Sequence, residues 1–457
     1  LEFRRVLFRS REFPELASAF KEDWPGLVSP RGRVVRLVLD TRLGQEEHRL
    51  TLDQKVELRA GSSVGLAWGL ATLAQLGLQG VSVAEISDLP ATQFRCLTLD
   101  VARRYHSPSV LRQMVRWCSA AKVRIIQLHL TDHQNWMLPT KVLAGIDRRN
   151  SHGRPAYSQE ELRSLVRFAA ARGVAIVPEI DVPGHSSLLI QHDPDLFEIK
   201  GSPSRDCINF ASPKVRRVLK KLIKEAAENF YTAPYIHLGG DEASHPDAEK
   251  DPQVTEALRR LGPNATVDMI FADFLGDLGD YVLSLKKRPI FWEGFHASDY
   301  AKKRIPEKAL IVAWEGACYP AQKLIDDGYS IINAGWDPLY VVNHYPWDAF
   351  TLAPLPTLYG LSKDRFGIVN WTDEEERGVD LKPSSAVKGA MLCWWEGHEW
   401  NAQATLPRRI LAFGARLWNP KAEARYESFV RRADLVEKSL NAAMFPFSHS
   451  LASNRLG

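Results

Sequence analysis

The chain of 457 residues is predicted to be an α/β protein, a (β/α)8 TIM barrel preceded by a small α+β domain. Two observations predict this class. From residue 94 onward, eight apolar strand candidates alternate with helical patterns, which is typical of a parallel sheet with helical crossovers, and their span of about 300 residues suits such a barrel. Before residue 90, strands and one helix occur without this alternation, in a segment long enough for a separate domain.

The small domain is predicted to span residues 12–90. Residues 33–40 and 55–59 alternate apolar and polar side chains, as half-buried strands do. Residues 65–77 carry apolar side chains at helical spacing and end at a glycine. Residues 1–11 are basic and lack an initiator Met and a long apolar stretch, so we expect an assembly remnant there, neither a secretory signal nor folded structure.

The barrel is predicted to span residues 91–420. Repeated strand–helix alternation indicates a parallel sheet and not an antiparallel one. The strand candidates are 94–100, 124–130, 174–180, 235–239, 288–292, 309–314, 329–333 and 388–394.

The helices between these strands have recognisable start signals. Ser158 and Glu161 form a capping-box pattern, and Ser212 precedes Pro213 as an N-cap precedes a first-turn proline. After the last barrel helix, residues 421–457 are expected to contain one more helix, packed on the barrel.

Two connections, residues 131–157 and 334–387, are too long for plain turns. Both leave the carboxyl end of a strand, where barrel enzymes build their sites, and both are rich in Trp, Tyr, His and Asn. We therefore expect both loops to contact a substrate.

The bulk composition excludes several classes of function. The net charge of +4 comes from 59 basic and 55 acidic residues without a long basic run, so neither nucleic-acid nor membrane binding is indicated. No apolar stretch is long enough to span a bilayer, which favours a soluble protein of undetermined location. The five cysteines form no CxxC pair, and no GxGxxG or P-loop motif follows a strand. We therefore expect no zinc knuckle, disulfide framework or nucleotide cofactor.

The stretch 235–242, YIHLGGDE, ends a predicted strand with two glycines and two adjacent carboxylates. Glycines let the backbone turn sharply, and paired acids at a strand end are commonly directed into a pocket. Asp241 and Glu242 are therefore a candidate catalytic pair. On this stretch alone, an acidic surface loop is an equal alternative.

Other predicted strands also end in polar or aromatic residues. Carboxylates and an arginine can hold several hydroxyls, and indole faces can line an apolar sugar face or a methyl group. Any one such residue could be a hydrogen-bonded core group, but their shared position at one face of a barrel favours a ligand site. They are Arg95, Asp100, His129, Asp132, Glu179, Asp181, His185, Trp292, Glu293, Trp314, Glu315, Trp394, Trp395 and Glu396.

The adjacency of Asp241 and Glu242 indicates a particular mechanism. Ordinary glycosidases place two acids on opposite sides of the scissile bond, about 5 Å apart when retaining and wider when inverting. Neighbours in sequence suit that geometry poorly. They fit a scheme in which one acid protonates the leaving oxygen while the other steers a nucleophile that belongs to the substrate.

In these residues the chain resembles the glycoside hydrolase family 20 β-N-acetylhexosaminidases. The motifs RCLTLDVARRYH, LHLTDHQNW, VPEIDVPGH, YIHLGGDE, the Trp-bearing strands and LPRRILAFGARLW match the family in order, within residues 33–420. HxGGDE is the most specific of them. The resemblance implies the barrel with its preceding domain, and a glycosidase without a metal or other cofactor.

The resemblance also implies roles for the pair. Glu242 would be the general acid and then the general base. Asp241 would hydrogen-bond the 2-acetamido N–H, so that the acetamide oxygen attacks the anomeric carbon and an oxazolinium forms. A neighbouring carboxylate and an indole-lined pocket are expected to keep Glu242 protonated near neutral pH, whereas Asp241 is expected to stay anionic.

Further residues are implied to bind the substrate or support the pocket. They are Arg95 and Glu396 for the sugar hydroxyls, Asp132, Asp181 and His185 as supports, Tyr340 for the acetamide carbonyl, and Trp292, Trp314 and either Trp394 or Trp395 around the sugar.

Two positions depart from the family pattern and bear on discrimination between gluco and galacto sugars. Val342 stands two residues after Tyr340, where many members have an acid, and Asn343 or a residue of 344–348 would have to replace that acid. His133 stands where an acidic residue often follows LTD.

We therefore expect an exo-β-N-acetylhexosaminidase that acts on oligosaccharides or glycoconjugates by substrate-assisted, retaining hydrolysis. The expected substrate ends in β-linked N-acetylglucosamine, with N-acetylgalactosamine as a second candidate and transglycosylation as a further reaction. One alternative is a catalytically silent carbohydrate-binding barrel. The other is a metal-dependent barrel hydrolase using His129, Asp132, His185 and His237, which lack a tight metal-ligand spacing.

Overall fold

The computed structural model describes residues 5–8, 12–148, 150–342, 353–367, 379–382, 384–421 and 425–445. In this part of the chain, the strands form a five-stranded sheet, a nine-stranded sheet and a two-stranded ribbon. The nine-stranded sheet contains a closed parallel barrel, and the five-stranded sheet precedes it in the chain. The predicted fold class is therefore confirmed.

The five-stranded sheet belongs to the small domain. Its strands are β1 (Val6–Phe8), β2 (Arg33–Leu39), β3 (His48–Leu52), β4 (Val56–Ala60) and β5 (Ala84–Asp88). Two helices, α1 (Pro14–Asp23) and α2 (Ser63–Gln79), accompany it. The strand order is β1-β2-β4-β3-β5, in which β3 is antiparallel to both of its neighbours. The sequence analysis predicted β2, β4 and α2 but not the other elements.

Residues 6–8 form part of this sheet, which corrects the expectation that residues 1–11 lie outside the fold. β1 pairs with β2 in parallel, and Val6 and Phe8 are only 2% and 9% exposed. The basic composition of this end conceals a three-residue apolar run, whose alternate side chains the sheet buries.

The barrel strands lie close to their predicted bounds. They are β6 (Phe94–Asp100), β7 (Ile125–His129), β8 (Ala175–Glu179), β9 (Tyr235–His237), β10 (Arg288–Trp292), β11 (Leu310–Ala313), β12 (Ser330–Asn333) and β16 (Val387–Trp395). Between β12 and β16 lie β13 (Tyr340–Val342), β14 (Arg365–Phe366) and β15 (Val379–Asp380). Each barrel strand is parallel to the next, and β12 pairs with β16 to close the ring. β13 pairs with the carboxyl end of β16 and so extends the wall above the barrel mouth.

Helices surround the barrel. They are α3 (Pro108–Ala120), α4 (Gln159–Ala170), α5 (Ser187–His192), α6 (Pro194–Phe197), α7 (Pro213–Asn229), α8 (Pro252–Leu261), α9 (Val267–Ser284), α10 (Asp299–Arg304), α11 (Ala321–Asp326), α12 (Trp336–Leu339), α13 (Leu355–Tyr359), α14 (Glu399–Trp418) and α15 (Tyr426–Met444). The capping box of Ser158 and Glu161 is present. The C-terminal helix α15 packs on α14 and α3, and also on α1 and α2 of the small domain.

Buried ion pairs join the small domain to the amino-terminal end of the barrel. Arg95, at the start of β6, is fully buried and contacts the carboxylate of Glu46. Nζ of Lys122 lies 2.9 Å from Asp88 and 4.0 Å from the ring centroid of Trp418. Buried cations need such partners, so the barrel floor depends on carboxylates supplied by the small domain.

Among the described residues, no helix has the length and apolar character needed to cross a membrane. All five cysteines are free thiols, four of them buried and Cys318 partly exposed.

Candidate active site

The candidate active site lies at the carboxyl ends of the barrel strands. β9 ends at His237, and an apolar residue, two glycines and the carboxylates Asp241 and Glu242 follow. Gly239 has a φ of 67°, and a Cβ there would lie 1.7 Å from Oδ1 of Asp181. Only glycine fits this close approach. The turn therefore brings Asp241 close to Asp181.

The two adjacent carboxylates differ in exposure and in partners. The side chain of Glu242 is 62% exposed and that of Asp241 is 16% exposed. Nε2 of His185 lies 3.1 Å from Oε2 of Glu242 and 3.7 Å from Oδ2 of Asp241. Oδ1 of Asp241 is buried and has no hydrogen-bond donor within the described part of the chain. Glu242 therefore faces the mouth of the site, and Asp241 faces its interior.

His185 connects the pair to a buried row of alternating charges. Its Nδ1 lies 3.4 Å from Oδ2 of Asp132, which also lies 2.9 Å from Nε2 of His129. Nδ1 of His129 lies 2.8 Å from Glu179. Burial alone would lower the pKa of each imidazole, but the flanking carboxylates raise the pKa of both well above the ordinary 6.5. The row Glu179–His129–Asp132–His185–Glu242 is therefore alternately negative and positive.

The pKa of Glu242 shifts opposite to the expectation stated above, whereas Asp241 remains mostly ionised at pH 7 as expected. The hydrogen bond from His185 lowers the pKa of Glu242 below its ordinary value. Burial raises the pKa of Asp241 to about 6, and the charges of Glu179 and Glu242 add to this effect. The expectation considered the neighbouring carboxylate and the indoles but not the imidazolium that contacts Glu242. The raised pKa of His185 and the lowered pKa of Glu242 together favour an imidazolium–carboxylate pair.

Asp181 lies beneath the carboxylate pair. It is 2% exposed, and neither of its carboxylate oxygens has a hydrogen-bond donor among the described residues. Burial and the negative charge of Asp241 raise the pKa of Asp181 well above its ordinary value. Asp181 therefore lies at the floor of the pocket, and its raised pKa disfavours its ionised form.

The arginine at the site is Arg103, which corrects the assignment of Arg95. Nη2 of Arg103 lies 2.8 Å from Asp132, Nη1 lies 3.2 Å from Asp100, and Nε lies 3.9 Å from Glu396. Arg95 is at the amino end of β6, about 16 Å from Asp100 at the rise of a strand. The sequence did contain a signal for Arg103. It follows the predicted strand in LDVAR, and barrel sites form at the carboxyl ends of strands.

The predicted indole Trp394 lies outside the pocket, and its neighbour Trp395 takes its place. Trp394 is fully buried under Gly397, where a Cβ would lie 1.9 Å from its ring. Successive strand residues face opposite sides. The ring of Trp395 lies 5.2 Å from that of His129 and 6.2 Å from that of Tyr340.

Three stacked aromatic rings form one wall of the site. The ring of Trp336 lies 5.4 Å from that of Tyr340 and 6.1 Å from that of Trp314, with interplanar angles of 15° and 18°. Trp314 and Tyr340 were predicted, but Trp336 was missed. The sequence signal for Trp336 was its position near the start of the long connection that follows β12.

Two further groups support this wall from below. Nε1 of Trp292 donates to Glu179 at 2.5 Å, so this predicted residue is held among the buried charges. Glu293 accepts the backbone N–H groups of Gly316, Cys318 and Tyr319 at 2.8, 2.8 and 2.9 Å. A single buried carboxylate thus fixes the loop that follows Trp314.

The position expected to carry an acid after Tyr340 holds Val342, which is buried in β13. Asn343 and residues 344–348, considered as replacements, lie outside the described residues.

The residues of the metal-hydrolase alternative make other contacts here. Both ring nitrogens of His129 face carboxylates, and Nδ1 of His237 accepts the backbone N–H of Gly239 at 3.1 Å. Asp132, His133 and His185 can each bring one atom within 4.8 Å of the others, but His185 is also engaged with Glu242. Because both ring nitrogens of His129 donate to carboxylates, that imidazole has no lone pair to offer a metal ion.

Comparisons with known proteins agree with this geometry. The model of the glycosyl hydrolase family 20 catalytic domain matches residues 93–421. The chain is 30% identical over 284 residues to a beta-hexosaminidase of Akkermansia muciniphila, covering 56% of this chain and 57% of that protein. It is 26% identical over 384 residues to a probable beta-hexosaminidase of Arthroderma benhamiae, covering 73% and 62%. The chain thus spans about three fifths of the length of these relatives.

Solved structures share the fold. The beta-N-acetylhexosaminidase of Bacteroides fragilis superposes with a TM-score of 0.76 at 20% identity, covering 95% of this chain and 91% of that one.

Proposed function

Because the chain belongs to glycosyl hydrolase family 20, we propose that it is an exo-acting β-N-acetylhexosaminidase that releases terminal β-linked N-acetylglucosamine by a substrate-assisted, retaining reaction. One observation carries the proposal: the adjacent carboxylates of Asp241 and Glu242 lie in different environments. Asp241 presents a buried oxygen without a donor to the pocket interior, while the carboxylate of Glu242 is exposed at its mouth. An acetamide N–H is a donor that suits Asp241, and a glycosidic oxygen at the mouth suits Glu242.

In the first step, Glu242 protonates the glycosidic oxygen as the bond from that oxygen to the anomeric carbon breaks. The acetamide oxygen of the substrate attacks the opposite face of the anomeric carbon and closes an oxazolinium ring. Asp241 accepts the acetamide N–H, and its negative charge stabilises the positive charge that develops there. No nucleophile from the protein is required.

In the second step, the carboxylate of Glu242 removes a proton from a water molecule, which attacks the anomeric carbon and reopens the ring. Two inversions at that carbon give overall retention. An acceptor hydroxyl in place of water gives a new β-linkage, so the same step accounts for transglycosylation.

The proton for the first step is supplied by the His185–Glu242 pair. The raised pKa of His185 and the lowered pKa of Glu242 favour one shared proton on His185 at neutral pH, with Nε2 of His185 3.1 Å from Oε2 of Glu242. A substrate that covers the mouth removes water from Glu242, and lower solvation favours the neutral acid. The proton then moves to Glu242 without exchange with the solvent.

The substrate-binding roles follow the corrected positions. Arg103 and Glu396 lie together at the rim, where they can hold sugar hydroxyls. Trp314, Tyr340 and Trp395 line the pocket with apolar surface for the sugar and the acetamide methyl group.

Hydrolysis of p-nitrophenyl β-N-acetylglucosaminide and of N,N′-diacetylchitobiose by wild-type protein and Glu242→Gln tests the acid. We expect kcat/KM to fall by about 10²–10⁴-fold. The loss should be larger for chitobiose, because its sugar leaving group depends more on protonation. Glu256→Gln, an exposed exchange on α8, is the matched control. Equal kcat/KM for Glu242→Gln and wild type would refute the acid assignment.

Two comparisons separate the proposal from its alternatives. The corresponding p-nitrophenyl β-glucoside, which lacks the acetamide, should be turned over far more slowly, and equal rates would contradict substrate assistance. Wild-type protein that binds N-acetylglucosamine but hydrolyses neither substrate would be the silent binding barrel. Activity should survive prolonged chelation, and a loss restored by added metal would favour the metal-dependent hydrolase.

A further inference from the structure

His133 lies against the imidazole that contacts Glu242. The ring centroids of His133 and His185 are 4.8 Å apart, and their planes are inclined by 29°. Nδ1 of His133 is 3.0 Å from Oγ of Ser187, in the first turn of α5. Its backbone N–H donates to Oδ1 of Asp132 at 2.5 Å. His133 is thus fixed in orientation at both its backbone and its ring.

The charge of His133 determines whether this stack is attractive. His185 is flanked by Asp132 and Glu242 and carries a positive charge at neutral pH. A neutral aromatic ring beside a cation is favourable. A second imidazolium at the same distance repels the first and acts against the 3.1 Å contact of His185 with Glu242.

The groups that face His133 come from four elements and oppose one another. Burial and the positive charge of His185 lower the pKa of His133, with Arg103 adding to them, while Asp132 and Asp206 act in the opposite direction. The net direction is downward from 6.5. The direction of the shift favours a neutral His133 ring at neutral pH, and its protonation requires more acidic solution than that of an unperturbed imidazole.

We infer that His133 is a positioning residue that holds His185 against Glu242 while its ring is neutral and disturbs this contact when its ring is protonated. This inference rests on the proposed function, because its effect is exerted on the catalytic proton. Protonation of His133 should therefore lower kcat/KM in acidic solution, in addition to the protonation of Asp241.

The pH dependence of kcat/KM on p-nitrophenyl β-N-acetylglucosaminide tests this inference. In wild-type protein, protonation of both Asp241 and His133 should make the acid limb approach a slope of about two in a plot of log kcat/KM against pH. His133→Phe keeps a flat ring that cannot be protonated, so the slope should fall to about one. Loss of the Ser187 hydrogen bond should also lower kcat at neutral pH by about two- to fivefold.

Two other variants separate this role from general damage. Ser187→Ala should lower kcat by a similar factor but keep the steeper acid limb, because His133 is still present. His152→Phe, which removes a partly buried histidine beside Tyr105 in the same long loop, should leave the wild-type slope unchanged. An unchanged acid limb in His133→Phe would overturn the inference, as would the same loss of slope in His152→Phe.

Thermal unfolding gives a readout that does not require activity. The folded-state pKa of His133 lies below its unfolded value of 6.5, so protonation favours the unfolded chain, and stability is lost as the pH falls below 6.5. Between pH 7.5 and 5 the Tm of wild-type protein should therefore fall more than that of His133→Phe. Parallel Tm curves would contradict the inference, whereas absent hydrolysis with divergent Tm curves would contradict only the proposed function.

Discussion

Nε2 of His185 lies 3.1 Å from Oε2 of Glu242, so the exposed acid of this site is in direct contact with a buried imidazolium. This contact lowers the pKa of Glu242 and raises that of His185. Two coupled groups that share one proton titrate as a unit. The catalytic proton therefore leaves at the higher of the two pKa values of the pair.

Replacement of His185 by Gln should move the alkaline limb of the pH profile downward. Without the imidazolium, Glu242 loses its proton near the ordinary value of about 4.3 for a glutamate. Activity at pH 7 should then fall by about 10²-fold or more relative to wild type, with a smaller loss at pH 5. The measurement is kcat/KM from pH 4 to 9. A uniform loss at every pH would show that His185 acts only as a structural support.

Substitutions of Arg103 and Arg95 should have different effects, the first on catalysis and the second on stability. Arg103→Met removes a charged donor beside Asp132 and Glu396, and we expect kcat/KM to fall by about 10–100-fold. Arg95→Met leaves Glu46 without its buried partner and should cost about 3–5 kcal/mol of unfolding free energy while kcat/KM of the folded protein is kept. Denaturant unfolding and initial rates are measured on both variants. Loss of catalysis in Arg95→Met at unchanged stability would show that Arg95 itself serves the site.

The two adjacent indoles of β16 offer a similar matched pair. Trp395→Ala should raise KM, because it removes the ring that faces His129 and Tyr340 in the pocket. Trp394→Ala should cost about 3–5 kcal/mol of stability by leaving a cavity in the wall, with little change in KM. Steady-state kinetics and Tm on both proteins test this division of roles. A raised KM in Trp394→Ala alone would show that Trp394, the other of the two candidate indoles, faces the sugar.

Asp241→Asn should be inactive but more stable than wild type at pH 7. The folded-state pKa of Asp241 is about 6, above the ordinary 3.8, so stability is lost as the pH rises from 3.8 to 6, and the penalty is complete above pH 6. The penalty is absent below pH 3.8, where the carboxyl is protonated in both states. The Tm advantage of the Asn variant should therefore shrink from pH 7 toward pH 4. An advantage that is independent of pH would contradict the charge as its cause.

Much of the barrel could be predicted from sequence because buried parallel strands are apolar runs with clear ends. β3 and β5 were missed, since His48–Leu52 and Ala84–Asp88 are short and interrupted by charged residues. The carboxylate pair was found because its glycines and acids are consecutive in sequence. The faces of Trp394 and Trp395 could not be assigned, because a shift of one residue reverses the side of a strand.

The charges at the site were the least predictable property. Whether Glu242 or Asp241 holds a proton depends on His185, which is 57 residues away from Glu242 in sequence and adjacent in space. Local patterns cannot supply such a contact. Arg103 and Arg95 illustrate the same limit, since both occur in one matching motif. They differ in that Arg95 lies at the amino end of β6, away from the site, whereas Arg103 follows its carboxyl end, where the site forms.

The ion pairs at the barrel floor also make the two sheets one cooperative unit. A truncated chain that begins at residue 91 would leave Arg95 and Lys122 without Glu46 and Asp88, and would expose Trp418. Unpaired buried cations are among the costliest defects a fold can carry. We therefore expect the barrel and the small domain to unfold together on heating.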